Sequence, residues 1–281
     1  MFRVFPLFDL SYHSIKEAAR VSMITKRLFA SKMPGRFEGK VAIITGSSNG
    51  IGRETALLFA KEGAQVTVTG RNLERLEKSR QALLDAGISE SNFLIVSADI
   101  TTSSGQDKLI GETLEKFGKL NILVNNAGAS IKDPENKTGI SQGLDVYEQT
   151  MKWSLLAYYP MAKAALDQYT RSAAIDLISE GIRVNTVNPG IVQTGFHESE
   201  FGWSAEEAKK FYNDMGANRS SIPIGFAGRP EHIAKTIAFL ADRDSSEYII
   251  GQNIVADGGT TLVLGIHANV LNSLSNSSFK K

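Results

Sequence analysis

The sequence has no cysteine, only four histidines and no long hydrophobic run in its 281 residues. Without cysteine, disulfide bonds and thiolate metal sites are excluded, and the scattered histidines do not suggest a metal cluster. No apolar run approaches the roughly eighteen residues of a membrane-spanning helix, so we expect no membrane span. The 42% hydrophobic content and the formal net charge of +1 are typical of a soluble globular protein of one large or two small domains.

The sequence also lacks a basic surplus outside its N-terminal segment. Residues 1–36 contain seven Lys and Arg against two acidic residues, whereas the whole chain has 31 basic and 30 acidic residues. The remainder is therefore slightly acidic. A slightly acidic domain lacks the basic surface that binds nucleic acid, so we expect no nucleic-acid partner.

From residue 39 onward, apolar strands alternate with amphipathic helices. "KVAIITG" predicts a strand, "NGIGRETALLFAKEG" has apolar residues at helical spacing, and the alternation continues to the strand "LNILVNNAG". This pattern predicts an α/β fold with a parallel sheet covered on both faces. After Gly128, two helical stretches follow each other before the strand "IRVNTVNPG", the helix "PEHIAKTIAFLAD" and the strand "QNIVADGG".

A glycine-rich loop, "TGSSNGIG" at 45–52, follows the first predicted strand. Gly46 permits a tight turn, Gly50 lets the backbone approach a pyrophosphate, and Gly52 allows close helix packing, with the helix N-terminus facing the phosphates. The alternative is a plain turn. Within a strand-turn-helix unit the dinucleotide site is favoured, and we predict cofactor contacts from Gly46, Ser48, Asn49, Gly50, Ile51 and Gly52.

The second predicted strand ends without a carboxylate, in "TVTGRN". An Asp or Glu at this place would bind the ribose 2′-hydroxyl of NAD, but the chain has Gly70 and Arg71. Arg71 can pair with the 2′-phosphate of NADP(H), so we predict NADP(H) as the cofactor. The alternative is that Arg71 only opens a solvated helix.

Five motifs follow one another along the chain: the glycine loop, "NNAG" at 125–128, Tyr159 with Lys163, "NPG" at 188–190 followed by Thr194, and "VADGG". Together these motifs resemble the classical short-chain dehydrogenase/reductase family. The match covers roughly residues 37–265. It implies a single doubly wound Rossmann domain with a mostly parallel sheet, and an oxidoreductase that moves a hydride between nicotinamide and a small-molecule carbonyl or secondary alcohol.

The resemblance also assigns roles at the site. Four residues apart on a helix, Tyr159 and Lys163 share one face, and an ammonium beside a phenol can hold it ready for proton transfer. The family implies that Tyr159 exchanges the proton, while Lys163 binds the nicotinamide ribose and lowers the tyrosine pKa. It further implies that Asp99 contacts adenine, Asn126 approaches the ribose and Thr194 binds the carboxamide. The alternatives are that Asn126 caps a turn and that Thr194 is a loop hydroxyl.

The chain departs from the family just before Tyr159. There the family has a helix with a catalytic Asn and a strand ending in a catalytic Ser, whereas this chain has Val146 and Tyr147 in a helical run, and Trp153 or Ser154 near the Asn position. We therefore predict a domain one strand and one helix short, a unit of roughly 30 residues. An alternative transcript or a faulty gene model would produce such a truncated isoform.

Three hypotheses follow. The chain is an NADP-dependent oxidoreductase impaired by the missing Ser-bearing strand, or a non-catalytic nucleotide-binding or partner-binding variant, or a subunit that associates with a full-length relative. In the last case, the helix from Tyr159 to Glu180 would supply the contact, because its alanine-rich sequence suits close helix packing. The alternative is that these alanines are simply buried in the core. We also expect a homo-oligomer.

The remaining segments give weaker signals. Residues 195–230 match the substrate lid, whose aromatic residues (Phe196, Phe201, Trp203, Phe211 and Tyr212) favour an apolar substrate unless they form a core. Residues 1–36 form a basic extension, either a mitochondrial transit peptide within 1–32 or an upstream addition to a natural start at Met33. We expect a cytoplasmic domain at 37–265 and a loose Ser/Asn-rich tail at 266–281.

Overall fold

The computed structural model describes residues 35–128 and 160–263, with the backbone alone at 160–163 and 200–201. The strands are β1 (Val41–Ile44), β2 (Gln65–Gly70), β3 (Phe93–Ser97), β4 (Ile122–Val124), β5 (Thr186–Pro189) and β6 (Asn253–Ala256). The α-helices are α1 (Gly50–Lys61), α2 (Leu73–Asp85), α3 (Ser103–Phe117), α4 (Pro160–Ile178), α5 (Phe196–Phe201), α6 (Ala205–Ala217), α7 (Pro230–Ala241) and α8 (Arg243–Ser246).

A parallel sheet of order β3-β2-β1-β4 forms the first half of the fold. Strand β1 lies between two partners, with Ile44 opposite Val68 of β2 and opposite Val124 of β4. All four residues of β1 are buried, because helices cover both faces of a parallel sheet. The predicted α/β fold class with a parallel sheet is confirmed.

Strands β5 and β6 form a separate two-stranded parallel sheet, with Thr186 opposite Asn253. Among the described residues, β4 pairs with β1 alone and β5 with β6 alone. Apolar residues are exposed on both sheets: Leu123 of β4 is 55% exposed and Val255 of β6 is 52% exposed. In a parallel sheet covered by helices, such residues are normally buried.

Helix α7 packs extensively against α1 and also contacts β5. Both helices carry small buried residues, Ala56 and Ala60 on α1 and Ala234 and Ala238 on α7. Small side chains let two helix backbones approach closely. Through α7, the second sheet is therefore attached to the helix that follows the glycine loop.

The segment at 195–230, predicted as a lid, contains two helices that the sequence reading did not assign. Helix α5 is short, and α6 begins with a capping box, in which Ser204 Oγ accepts from the Glu207 N–H at 3.2 Å and Glu207 accepts from the Ser204 N–H at 2.7 Å. Residues 1–34 and 264–281 lie outside the described range, so the predicted N-terminal extension, except Gly35 and Arg36, and the predicted tail stay predictions.

Candidate active site

The glycine loop joins β1 to α1 as a closely packed turn. Gly46 has φ +62°, and a Cβ at this position would lie 2.7 Å from the Cα of Ala127. A Cβ at Gly52 would lie 2.6 Å from the carbonyl oxygen of Gly46. Both positions therefore require glycine, one for its left-handed backbone and close approach and the other for close helix packing.

The N-terminus of α1 is capped by Asn49, whose Oδ1 accepts from the Gly50 N–H at 2.8 Å. The first turn of α1 contains no acidic residue. Because a helix N-terminus carries a partial positive charge and unpaired N–H groups, this end suits an anionic group such as a pyrophosphate.

Arg53 and Ser79 hold the backbone of the glycine loop through hydrogen bonds to its carbonyl oxygens. The Arg53 guanidinium donates to the carbonyl oxygen of Ser48 and, through Nε, to Ser79 Oγ at 2.9 Å. Ser79 Oγ in turn donates to the carbonyl oxygen of Ser47 at 3.0 Å. Burial lowers the pKa of Arg53. The sequence reading missed this brace, although an arginine one residue after the last loop glycine could have suggested it.

The turn after β4 is fastened to the start of the glycine loop. Asn126 Nδ2 donates to the carbonyl oxygen of Thr45 at 3.0 Å and to that of Gly46 at 3.3 Å. Thr45 Oγ1 accepts from the N–H groups of Asn126 and Ala127 at 2.9 and 3.0 Å. The side chain of Asn126 thus braces the loop, and its predicted contact with the cofactor stays a prediction.

Arg71 and Asp99 lie near each other at the carboxyl ends of β2 and β3. Asp99 Oδ1 accepts from Thr101 Oγ1 at 2.7 Å and from the Thr101 N–H at 3.0 Å. These hydrogen bonds hold the pKa of Asp99 below its ordinary value, and the positive charge of Arg71 adds a smaller effect. A Cβ at Gly70 would lie 2.8 Å from Ser48 Oγ, so this corner adjoins the glycine loop.

Thr194 lies across the N-terminus of α1 from the glycine loop. An ideal Cβ at Gly50 would lie 3.1 Å from Thr194 Cγ2. A cavity of about 340 Å³ opens beside them, lined by Asn49 and Arg53 on one side and by Glu198 and Tyr212 on the other. Of the predicted cofactor residues, Gly50 therefore lies beside Thr194, and Ser48 lies beside Gly70 at the end of β2. The Ile51 carbonyl oxygen accepts from Thr55 Oγ1 at 2.8 Å.

The predicted catalytic pair is only partly described. Tyr159 lies outside the described residues, and α4 begins at Pro160, a residue well suited to the first helical position. Lys163 lies in the first turn of α4, but its side chain is outside the described part. Val146, Tyr147, Trp153 and Ser154 are outside it as well. The proton-transfer roles of Tyr159 and Lys163 remain predictions.

The aromatic residues of the lid pack on one another. The ring of His197 lies 4.8 Å from that of Trp203, 4.6 Å from Phe211 and 5.1 Å from Tyr212, measured between centroids. Ala208 and Ile222 are buried beside them. Trp203, Phe211 and Tyr212 thus form a core within the lid, which was the alternative to substrate contact. His197, which the sequence reading passed over, is at the centre of this core.

Comparisons with known proteins agree with this architecture. A family model described as short chain dehydrogenase matches residues 40–151, and a second, described as Enoyl-(Acyl carrier protein) reductase, matches residues 143–261. Meso-2,3-butanediol dehydrogenase of Serratia marcescens is 31% identical over 257 residues, which covers 80% of this chain and 96% of the relative.

Solved structures give the same result. A short-chain dehydrogenase/reductase of unknown function from Caenorhabditis elegans, crystallised with cofactor, superimposes with a TM-score of 0.79 at 51% identity, covering 83% of this chain and 99% of that one. L-sorbose reductase of Gluconobacter frateurii, in complex with NADPH and L-sorbose, gives a TM-score of 0.69 at 26% identity, covering 83% of this chain and 100% of that one.

A parallel sheet with a glycine loop at a helix N-terminus is the architecture of a dinucleotide-binding fold. The chain belongs to the short-chain dehydrogenase/reductase family and is an oxidoreductase of that type. Within the described residues, no helix is long and apolar enough to cross a membrane, and no cluster of side chains could hold a metal ion.

Proposed function

We propose that the chain binds NADP(H) in preference to NAD(H) and acts on a small-molecule carbonyl or secondary alcohol. The observation that carries the cofactor choice is the corner formed by Gly70, Arg71 and Asp99. Strand β2 ends at Gly70 without a carboxylate of its own, and the exposed Arg71 follows it. A guanidinium at this point can form charge-assisted hydrogen bonds with a 2′-phosphate.

The residues present fit a dinucleotide. The left-handed Gly46 and the N-terminus of α1 supply a backbone cradle for the pyrophosphate, and no acidic residue in the first helical turn opposes it. The bound cofactor would supply the hydride. Tyr159 would exchange a proton with the substrate oxygen, and Lys163 would keep that phenol reactive and bind the nicotinamide ribose. A relative crystallised with NADPH, L-sorbose reductase, supports the same cofactor class.

Titration of NADPH and NADH onto the purified full-length chain, followed by nucleotide fluorescence, tests the preference. A charged hydrogen bond contributes about 1.5 to 3 kcal/mol, but Asn49 stands where many NADP enzymes of the family carry a base, so we expect only about tenfold discrimination. The variant Arg71→Ala removes it. Arg171→Ala, an exposed arginine on α4, is the matched control. Equal affinities of the unaltered chain for both nucleotides contradict the assignment.

We further propose that catalysis is impaired by a missing strand and helix. Two observations support this proposal. In the described residues the sheet is divided, with β4 and β5 each bonded on one side only. The alignment with the Serratia dehydrogenase spans 257 positions but covers only 80% of the 281 residues of this chain, which is about 225 residues. About 30 aligned residues of the dehydrogenase therefore have no counterpart in this chain, which is the size of one strand-and-helix unit.

The second candidate is a non-catalytic nucleotide-binding or partner-binding variant. One specific observation favours this candidate. Ser79 and Asn126 hold the glycine loop through hydrogen bonds to its backbone, whereas the described strands after β4 form a separate sheet. NADPH binding without turnover of any aldehyde, ketone or secondary alcohol in a broad panel supports this candidate. Tyr159-dependent turnover supports the oxidoreductase.

We also propose a homo-oligomer and a cytoplasmic location. Helix α4 exposes Tyr169 by 60% and Ile175 by 73%, and apolar residues at such positions suit a second subunit. Light scattering after gel filtration tests the oligomer, and a monomer contradicts it. For the location, tagged full-length protein is compared with a chain that starts at Met33. Wholly mitochondrial protein that depends on residues 1–32 contradicts a cytoplasmic location.

A further inference from the structure

The hydroxyl of Tyr212 contacts both backbone polar groups of Thr194. Tyr212 Oη accepts from the Thr194 N–H at 3.3 Å and lies 3.2 Å from the Thr194 carbonyl oxygen, to which it donates. His197 Nδ1 lies 2.8 Å from the same hydroxyl. Three polar groups of the loop after β5 and of α5 therefore converge on one side chain of α6.

The position of this hydroxyl is fixed by the packing of its ring. Tyr212 is only 4% exposed and is buried with Ala208 and Ile222. The ring of His197 meets it edge to face, with centroids 5.1 Å apart. A buried aromatic ring with neighbours on its face and edge keeps one orientation, so its hydroxyl is a rigid point of attachment.

The three contacts are compatible with one arrangement of hydrogen atoms. A phenol has one proton to donate and lone pairs to accept. All three contacts are hydrogen bonds when His197 and the Thr194 N–H both donate to the hydroxyl and the hydroxyl donates to the Thr194 carbonyl. In this arrangement, His197 orients the phenol toward Thr194. The phenol then holds the backbone of Thr194, while the Thr194 hydroxyl takes no part in these contacts.

We propose that Tyr212 is a positioning residue, which holds Thr194 opposite the N-terminus of α1 where the cofactor binds. This inference rests on the proposed function, because it needs a nucleotide between the glycine loop and Thr194. The closeness of Thr194 to Gly50 and the cavity that Tyr212 lines beside them connect the attachment to that site. Tyr212 acts through Thr194 and has no role of its own in the chemistry.

The test uses the full-length chain and the variant Tyr212→Phe, which keeps the ring and removes the hydroxyl. Tyr248→Phe, the same change at a fully exposed tyrosine, is the matched control. The first measurement is amide hydrogen exchange of the cofactor-free proteins. We expect exchange at Thr194 to become roughly fivefold faster or more in Tyr212→Phe, because its N–H loses a partner, and to stay unchanged in Tyr248→Phe.

The second measurement is the dissociation constant of NADPH from nucleotide fluorescence. We expect Tyr212→Phe to weaken binding by roughly fivefold, with the melting temperature measured in parallel to confirm folding. Unchanged exchange at Thr194 overturns the attachment, and faster exchange with an unchanged dissociation constant overturns the positioning role. If the unaltered chain does not bind NADPH, the proposed function fails, and the exchange measurement still decides whether Tyr212 anchors Thr194.

Discussion

Asn126 and Thr45 clamp each other: the Asn126 side-chain amide donates to the Thr45 carbonyl oxygen at 3.0 Å, and the Thr45 hydroxyl accepts from the Asn126 N–H at 2.9 Å. The two residues stand at the ends of neighbouring strands, β4 and β1. Their reciprocal bonds fix the turn after β4 against the first residues of the glycine loop. The conformation of the glycine loop therefore depends on a residue 81 positions away in sequence.

The first prediction concerns this clamp. Asn126→Ala removes the donor to the Thr45 and Gly46 carbonyls, and we expect it to lower the free energy of unfolding by about 1 to 3 kcal/mol, since part-buried carbonyls lose their partner. Urea denaturation measures the change. Asn125→Ala, at the exposed neighbouring position, is the control. Similar losses in both variants argue against the clamp.

The second prediction separates two demands on Gly46. Gly46→Ala places a Cβ 2.7 Å from the Ala127 Cα at φ +62°, whereas Gly87→Ala meets nothing within 4 Å at φ +78°. The left-handed backbone alone costs roughly 1 to 2 kcal/mol in each variant. We expect Gly46→Ala to lose clearly more stability and also NADPH binding. Equal melting temperatures of the two variants contradict the close approach.

The third prediction is a pH dependence at Asp99. Hydrogen bonds from Thr101 lower its pKa in the folded state, so the ionised carboxylate stabilises the fold above its unfolded pKa of about 3.9, and this stabilisation is lost as the pH falls through the lower folded value. Thr101→Val should therefore destabilise the protein more at pH 6 than at pH 3.

Urea denaturation at both pH values measures the difference. Thr55→Val is the control, because the Thr55 hydroxyl donates to the carbonyl oxygen of Ile51, at 2.8 Å, and to no carboxylate. A loss of stability in Thr101→Val that is the same at both pH values means that the hydroxyl does not act through the charge of Asp99.

The fourth prediction concerns the chemistry. If the Ser-bearing strand is missing, as we propose, Tyr159 acts without the serine hydroxyl that in the family positions the substrate oxygen, and the loss of one preorganised donor costs a factor of roughly 10² to 10³. We expect slow carbonyl reduction that still depends on Tyr159. Insertion of a family-like strand with its Ser between Lys152 and Tyr158 should raise turnover sharply, and Tyr159→Phe should then abolish it.

Steady-state turnover with NADPH and a carbonyl panel measures this effect. If the unaltered chain turns over as fast as the restored one, the missing segment does not matter. Ser154 is then the first candidate for the missing hydroxyl, and Ser154→Ala tests it.

Local patterns predicted most elements of the fold, because buried strands and amphipathic helices leave clear periodicities. "KVAIITG" contains β1, and "PEHIAKTIAFLAD" coincides with α7 (Pro230–Ala241). The helices α5 and α6 were not assigned. Their stability comes from the Ser204 capping box and from packing of His197 with the Trp203 and Tyr212 rings, and mixed polarity in the sequence conceals such tertiary contacts.

At the site, glycine spacing predicted the loop because its backbone geometry permits no other residue at Gly46. The partners of that loop were harder to foresee. Arg53 and Ser79 are 26 positions apart and meet only because α1 and α2 pack side by side. The residue type of Tyr212 predicts either a core position or a substrate contact. Its hydrogen bonds to Thr194 could not be predicted, because they depend on the tertiary position of α6.

Helix α7 connects the two sheets, because it contacts both α1 and β5. The sheets share no backbone hydrogen bonds among the described residues, so side-chain packing has to couple them there. Ala234 and Ala238 of α7 are buried, and overpacking a buried position of this kind costs about 1 to 3 kcal/mol. We therefore expect enlargement of either alanine to weaken the coupling between the two sheets.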